Sequence, residues 1–174
     1  MAEAPDQIVL KRDRELEGRD KDLWIRRGLL ALVSAVPVIA LFNVFGQRPA
    51  TFRDSAPEAS LKVYAPKRIR GGLLFEARFT VTAKQDVKKA VLVLQPGWLE
   101  GITVNTIEPS PVSEGSANGR LLLELGHIPA GQKYRLFMQF QVNPTNVGHR
   151  SADVDLYDGD TKLLTVHRNV TIFP

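Results

Sequence analysis

Three histidines, four closely spaced aspartates and a scatter of lysines and arginines are the residues of this 174-residue chain whose types could do chemistry. His127, His149 and His167 stand far apart, so no metal site converges locally, and with only Met1 and Met138 present a copper-binding face has no basis. The aspartates Asp153, Asp155, Asp158 and Asp160 fall in the run DVDLYDGD. Calcium favours such oxygens, but the spacing is not that of a calcium-binding helix-loop-helix, and the closing glutamate is missing. Turn chemistry accounts for them better: Asp153 and Asp155 fall on a solvent face, and Asp158 and Asp160 flank a type I′ turn. No serine, histidine and aspartate or paired carboxylates can be grouped for acid–base or nucleophilic work. No glycine-rich phosphate loop occurs, and the chain has no cysteine, which excludes disulfides, thiolate nucleophiles and thiolate-bound metals. Asn169-Val170-Thr171 has the form of a glycosylation acceptor but sits in an expected strand. The expectation is therefore a non-enzyme with no cofactor, no metal and no small-molecule substrate.

Charge is the next guide. Net charge is +4, yet residues 1–27 hold seven basic and seven acidic side chains, so the excess lies entirely beyond them. Nucleic-acid binding needs clustered cations within a recognisable module, and none is visible, so no nucleic-acid partner is expected. Two surfaces are candidates for interaction. One is the basic stretch Lys67, Arg68 and Arg70 with Lys62 nearby, suited to lipid phosphates or an acidic partner. The other comprises apolar residues on outward positions, Leu122, Phe137 and whichever face of Val91–Leu94 a core leaves free.

The segment 28–46, GLLALVSAVPVIALFNVFG, is uncharged over nineteen residues. At about 1.5 Å per residue it spans roughly 28 Å, the thickness of a bilayer's hydrocarbon core. It lacks the polar face of a helix lying on a soluble core. Trp24 precedes it at an interfacial position, and Gly28, Ser34, Pro37 and Asn43 supply small or polar positions for packing against partner helices. A cleaved signal sequence is the rival reading, with Val38 and Ala40 at a small-residue cleavage site. The long mixed-charge region before it and the apolar residues after it argue for a retained anchor. Five cations upstream, Arg14, Arg19, Lys21, Arg26 and Arg27, against Arg48 and Arg53 downstream, place the N-terminus in the cytoplasm and the remainder outside.

The expected organisation is a cytoplasmic charged tail at 1–27, a transmembrane helix at 28–46, a Pro/Ala-rich linker at 47–59 and an extracytoplasmic domain at 60–174. In the tail, Glu15 and Arg19, Glu17 and Lys21, and Asp22 and Arg26 are helix-favouring pairs. In the domain the apolar period is two. Phe75, Ala77, Phe79 and Val81 alternate with polar residues, as do Tyr134, Leu136, Met138, Phe140 and Val142. Further strands are expected at 61–65, 87–95, 102–107, 121–125, 150–157 and 161–173, with Asp158-Gly159 as a hairpin turn. About eight strands without helices between them predict an all-β, immunoglobulin-like antiparallel β-sandwich.

The stretch from Pro96-Gly97-Trp98 through Ile102-Thr103-Val104 to LELGHIPAG at 123–131 resembles bacterial cell-surface immunoglobulin-like modules. The likeness covers roughly residues 73–145 and lies in turn and core positions. It implies the sandwich fold and an envelope location, and no chemistry. The expected partners are membrane lipid and other integral membrane proteins, in an accessory or structural role. The alternative is a membrane-tethered module that binds a soluble ligand, a cell-wall component or a surface protein.

Overall fold

The computed structural model describes residues 20–42 and 46–174, which fall in two compact units divided between Val44 and Phe45. In the first unit, helix α1 runs from Asp20 to Leu41, so it begins within the charged tail and continues unbroken through Pro37. It is long and apolar enough to cross a membrane, and it buries none of its apolar side chains within the structure. Leu29, Leu30, Leu32, Val33, Val36 and Val38 are all exposed, so the helix has no apolar face buried against other described residues. The Arg27 guanidinium lies 5.6 Å from the Trp24 ring centroid.

The second unit is all strand apart from one 3-10 turn at Pro96–Trp98. Its strands are β1 (Pro49–Ser55), β2 (Ala59–Pro66), β3 (Arg68–Arg70), β4 (Leu74–Ala83), β5 (Val87–Leu94) and β6 (Ile102–Glu108). They continue as β7 (Ser113–Ala117), β8 (Arg120–Ile128), β9 (Lys133–Val142), β10 (Gly148–Ser151), β11 (Val154–Asp158), β12 (Thr161–Val166) and β13 (Asn169–Phe173). A first five-stranded sheet has the order β1-β2-β4-β9-β6 and a second the order β12-β11-β5-β8-β7, while β10-β13-β3 form a small third sheet.

The β-sandwich stands as expected, with three differences. Thirteen short strands replace about eight: β1, β3 and β7 are additional, and the segments 150–157 and 161–173 each break in two where the chain passes between the small third sheet and the second. The pairing of β13 with β3 is parallel, whereas every other pairing is antiparallel. The residues read as a linker, 47–59, contain β1, which pairs with β2 along its whole length from Pro49↔Pro66 to Ser55↔Ser60.

The core forms where the pleat of each sheet turns apolar side chains inward. Phe75, Ala77, Phe79 and Val81 of β4 and Leu136, Met138, Phe140 and Val142 of β9 face Leu92 and Leu94 of β5, Leu123 and Leu125 of β8, and Val154 and Leu156 of β11. Burial of each larger side chain contributes about 1.5–3 kcal/mol. Trp98 sits between the sheets, its ring centroid 5.4 Å from that of Phe79 and 5.3 Å from that of Phe140. Phe140 in turn stacks on Phe75 at 5.0 Å. The turn that delivers Trp98 has no room beside it: a Cβ at Gly97 would strike the Ser151 carbonyl oxygen. Gly97→Ala therefore costs at least about 2 kcal/mol, read as a lowered urea midpoint with an unchanged m-value.

Candidate functional site

Outward positions on the first sheet gather the charge that the sequence leaves scattered. Register places Arg53, Lys62, Thr80 and Arg135 in one row across β1, β2, β4 and β9. The next row toward the end of β1 is Ser55, Ser60, Thr82 and Lys133, and the row before is Thr51, Tyr64, Arg78 and Phe137. Together these rows line an open groove of about 970 Å³ that holds five cations and one carboxylate, Asp54.

Arg78 is the fixed member of this face. Its Nε donates to Glu76 Oε1 at 2.7 Å, and its guanidinium lies 5.3 Å from the Tyr64 ring centroid and 5.7 Å from that of Phe137. The Glu76 hydrogen bond and charge hold the Arg78 pKa above its ordinary value. Arg53, Lys62, Lys133 and Arg135 take part in no ion pair among the described residues. Arg53 stands directly opposite Lys62, and like charges directly opposite one another weaken a sheet. Nothing in the packing of the domain requires that arrangement.

The structure divides the basic stretch expected from sequence. Lys62 points out from β2 into the groove, whereas Arg68 and Arg70 lie on β3 in the small third sheet, on either side of buried Ile69. Lys67 lies over the Phe52 ring at 5.5 Å, and Arg70 Nε reaches the Pro174 carbonyl at 3.5 Å. The apolar pair divides likewise. Phe137 joins the groove, 38% exposed, while Leu122 is half-buried on β8 in the second sheet. There it lies between Val93 and Gly115, and Val93 is covered although it faces away from the core. On α1, Ser34 and Pro37 lie within about a third of a turn of each other, whereas Gly28, nine residues before Pro37, falls on the opposite side. Asn43 and residues 1–19 lie outside the described residues, and with them the tail pair Glu15–Arg19 and the Glu17 partner of Lys21.

A second polar cluster covers part of the second sheet and corrects the reading of the aspartates. Asp155 is only 3% exposed and belongs to no solvent face. Its carboxylate accepts from Gln95 Nε2 at 2.6 Å and Thr165 Oγ1 at 2.7 Å, and pairs with Lys162 Nζ at 2.8 Å. Asp153 accepts from the Arg168 backbone N–H at 2.9 Å and lies 2.9 Å from His167 Nδ1. Asp158 accepts from the Lys89 backbone N–H at 2.8 Å. Each aspartate thus serves a different neighbour. Among the described residues no group of three His, Cys, Asp or Glu side chains is placed to hold a metal ion. The turn they flank has a positive φ at Gly159 only, the pattern of type II′ rather than I′. His167 and Ser151 both bond to Asp153. The carboxylate, not the imidazole, is the hub, so the serine has no base beside it.

Burial alone would raise the Asp155 pKa, but the hydrogen bonds from Lys162, Thr165 and Gln95 outweigh it and hold the carboxyl below its ordinary value. Asp153 is lowered in the same way, burial being outweighed by the Arg168 N–H, His167 and Ser151. A lowered folded-state pKa stabilises the fold above the unfolded value of about 4, and that stability is lost as pH falls through the folded value. Melting temperature should therefore fall steeply below about pH 4. Asp155→Asn should destabilise by about 2 kcal/mol at neutral pH and flatten the acid limb of the melting profile. Removing one of the opposed cations has the reverse effect: Arg53→Gln should raise the melting temperature at low salt, with the gain vanishing at high salt.

No protein-family model matches the chain, and no curated protein matches it. Among solved structures, a CARDB domain from Pyrococcus furiosus is 13% identical over 69% of this chain and 98% of that one, with a TM-score of 0.44. A crystal structure of a CARDB domain from the same organism, in complex with two metal ions, is 14% identical over 73% and 96%, with a TM-score of 0.38. A protein that catalyses macrocyclization in alchivemycin A biosynthesis is 6% identical over 74% and 90%, with a TM-score of 0.46. All three scores are low, and the fold assignment rests on the sheet order and register described above.

Proposed function

We propose that the chain is a non-enzymatic, single-pass membrane protein, cytoplasmic at its N-terminus, whose β-sandwich lies outside the membrane as an accessory subunit of a membrane protein complex. The observation that carries this reading is α1, a helix of membrane-spanning length whose large apolar side chains from Trp24 onward are exposed. In water such a surface would drive aggregation, whereas in lipid it is solvated. The cation bias flanking the helix supports the orientation. Ser34 and Pro37 share a face on which a partner helix would approach closely and hydrogen-bond.

A second reading, a tethered binding module, is favoured by the unpaired cations of the groove. The two readings part on whether the full-length protein has a stable companion in the membrane. Extracted in mild detergent, it should co-purify with an integral membrane protein in fixed ratio, and Ser34→Leu should reduce that recovery severalfold. Recovery only as a free monomer would rule out the accessory role. Protease added to spheroplasts should remove the β-domain and leave the tail protected, and full protection of the β-domain would overturn the orientation.

A further inference from the structure

We propose that the outer face of the first sheet binds a linear anionic glycan, laid across β1, β2, β4 and β9 against Arg53, Lys62, Lys133 and Arg135. The argument begins from an electrostatic cost. Arg53 and Lys62 are direct cross-strand partners, and Arg135 continues their row two strands further on. At a strand spacing of about 4.8 Å the row places three cations within roughly 15 Å, and Lys133 lies about 7 Å from Arg135 along β9. None takes part in an ion pair among the described residues. A sheet that holds like charges opposite one another gains stability when an anion lies between them, so the face is organised for a ligand with several spaced negative charges.

The rest of the lining narrows the class. Between the cations, the floor carries the hydroxyls of Thr51, Ser60, Thr80 and Thr82, which suit a polyhydroxylated chain. Tyr64 stands in the wall with its ring held by Arg78, a flat apolar surface on which a sugar ring can rest. The groove crosses the outer face of the first sheet, from the edge strand β1 to β9. Its lining consists of side chains on the outer face, so an extended peptide lying in it would add no strand to the sheet. Preference for a glycan over a nucleic acid rests on the extracytoplasmic placement proposed above.

The test uses the full chain in zwitterionic detergent micelles, titrated calorimetrically with polygalacturonate. Saturable binding is expected, together with none to uncharged dextran. The triple variant R53Q/K62Q/R135Q should bind at least 30-fold more weakly and show a salt dependence shallower by about three charges. It should also melt at or above the wild-type temperature, which separates lost binding from lost folding. Lys88→Gln with Arg120→Gln, exposed cations outside the groove, should bind as wild type. Tyr64→Ala should weaken binding to polygalacturonate several-fold. The proposal is overturned by absence of binding, by equal binding of the triple variant, or by equally tight binding of polyglutamate. It is also overturned if binding to phosphatidylglycerol vesicles exceeds glycan binding and is lost in the triple variant. Micelle binding does not depend on which way the helix crosses a membrane. A negative result here therefore leaves the anchoring proposal to be decided by the protease experiment.

Discussion

A guanidinium sealed inside a β-sandwich is the constraint on which the arrangement of the domain depends. Arg168 is 3% exposed, and its side chain has no carboxylate partner among the described residues. Burial pushes its pKa down to about 10, so it stays charged at neutral pH and must be compensated by dipoles and ring faces. One terminal nitrogen donates to the Pro66 carbonyl at 2.6 Å, the group lies 4.3 Å over the Trp98 ring, and Phe52 approaches at 5.8 Å. An uncompensated charge at this depth would cost several kcal/mol. Those partners come from the end of β2, the turn between β5 and β6, and β1. Holding this one cation, whose Nε finds no acceptor, therefore ties β1, β2 and the β5–β6 turn to the segment between β12 and β13. Trp98 serves both sides, packing at a tilt against Phe79 and Phe140 and lying under Arg168.

How much of this was legible depended on whether an element carried its own periodic signal. Strands β4 and β9 announce themselves because each presents four or more apolar side chains at period two. β1 does not: in PATFRDS only Phe52 offers a large apolar side chain, and as an edge strand it has one neighbour. β7, SEGSA, is exposed throughout and has no apolar signal. Its one local signal, Asn118-Gly119, was not among the expected turns: both residues adopt positive φ between the partners Ala117 and Arg120, the type I′ chemistry that this dipeptide favours. The breaks at 152–153 and 167–168 carry no glycine or proline. They arise from a change of sheet, which no local window registers.

The candidate site was hidden for a different reason. Lys133 and Arg135 look like ordinary outward residues of an alternating strand, and Arg53 lies in a segment without pattern. Their proximity is a property of register between strands about 80 residues apart, which one sequence does not state. Lys62 was grouped with Lys67, Arg68 and Arg70 because they are near in the chain, yet the end of β2 at Pro66 sends them to another sheet. The aspartates show the converse: Asp153, Asp155 and Asp158 are close in sequence yet dispersed by pleat and turn to different partners.

The covalent order has a mechanical corollary. Only seven residues separate Leu41, the end of α1, from Pro49, the first residue of β1, and β1 is an edge strand held by a single ladder. Tension along that connection is borne first by the β1–β2 hydrogen bonds. Their rupture would lift Phe52 from Arg168 and carry Arg53 out of its row, admitting water to the buried cation and dismantling one wall of the groove. A pull transmitted through this connection would thus act on the charged face before reaching the aromatic core.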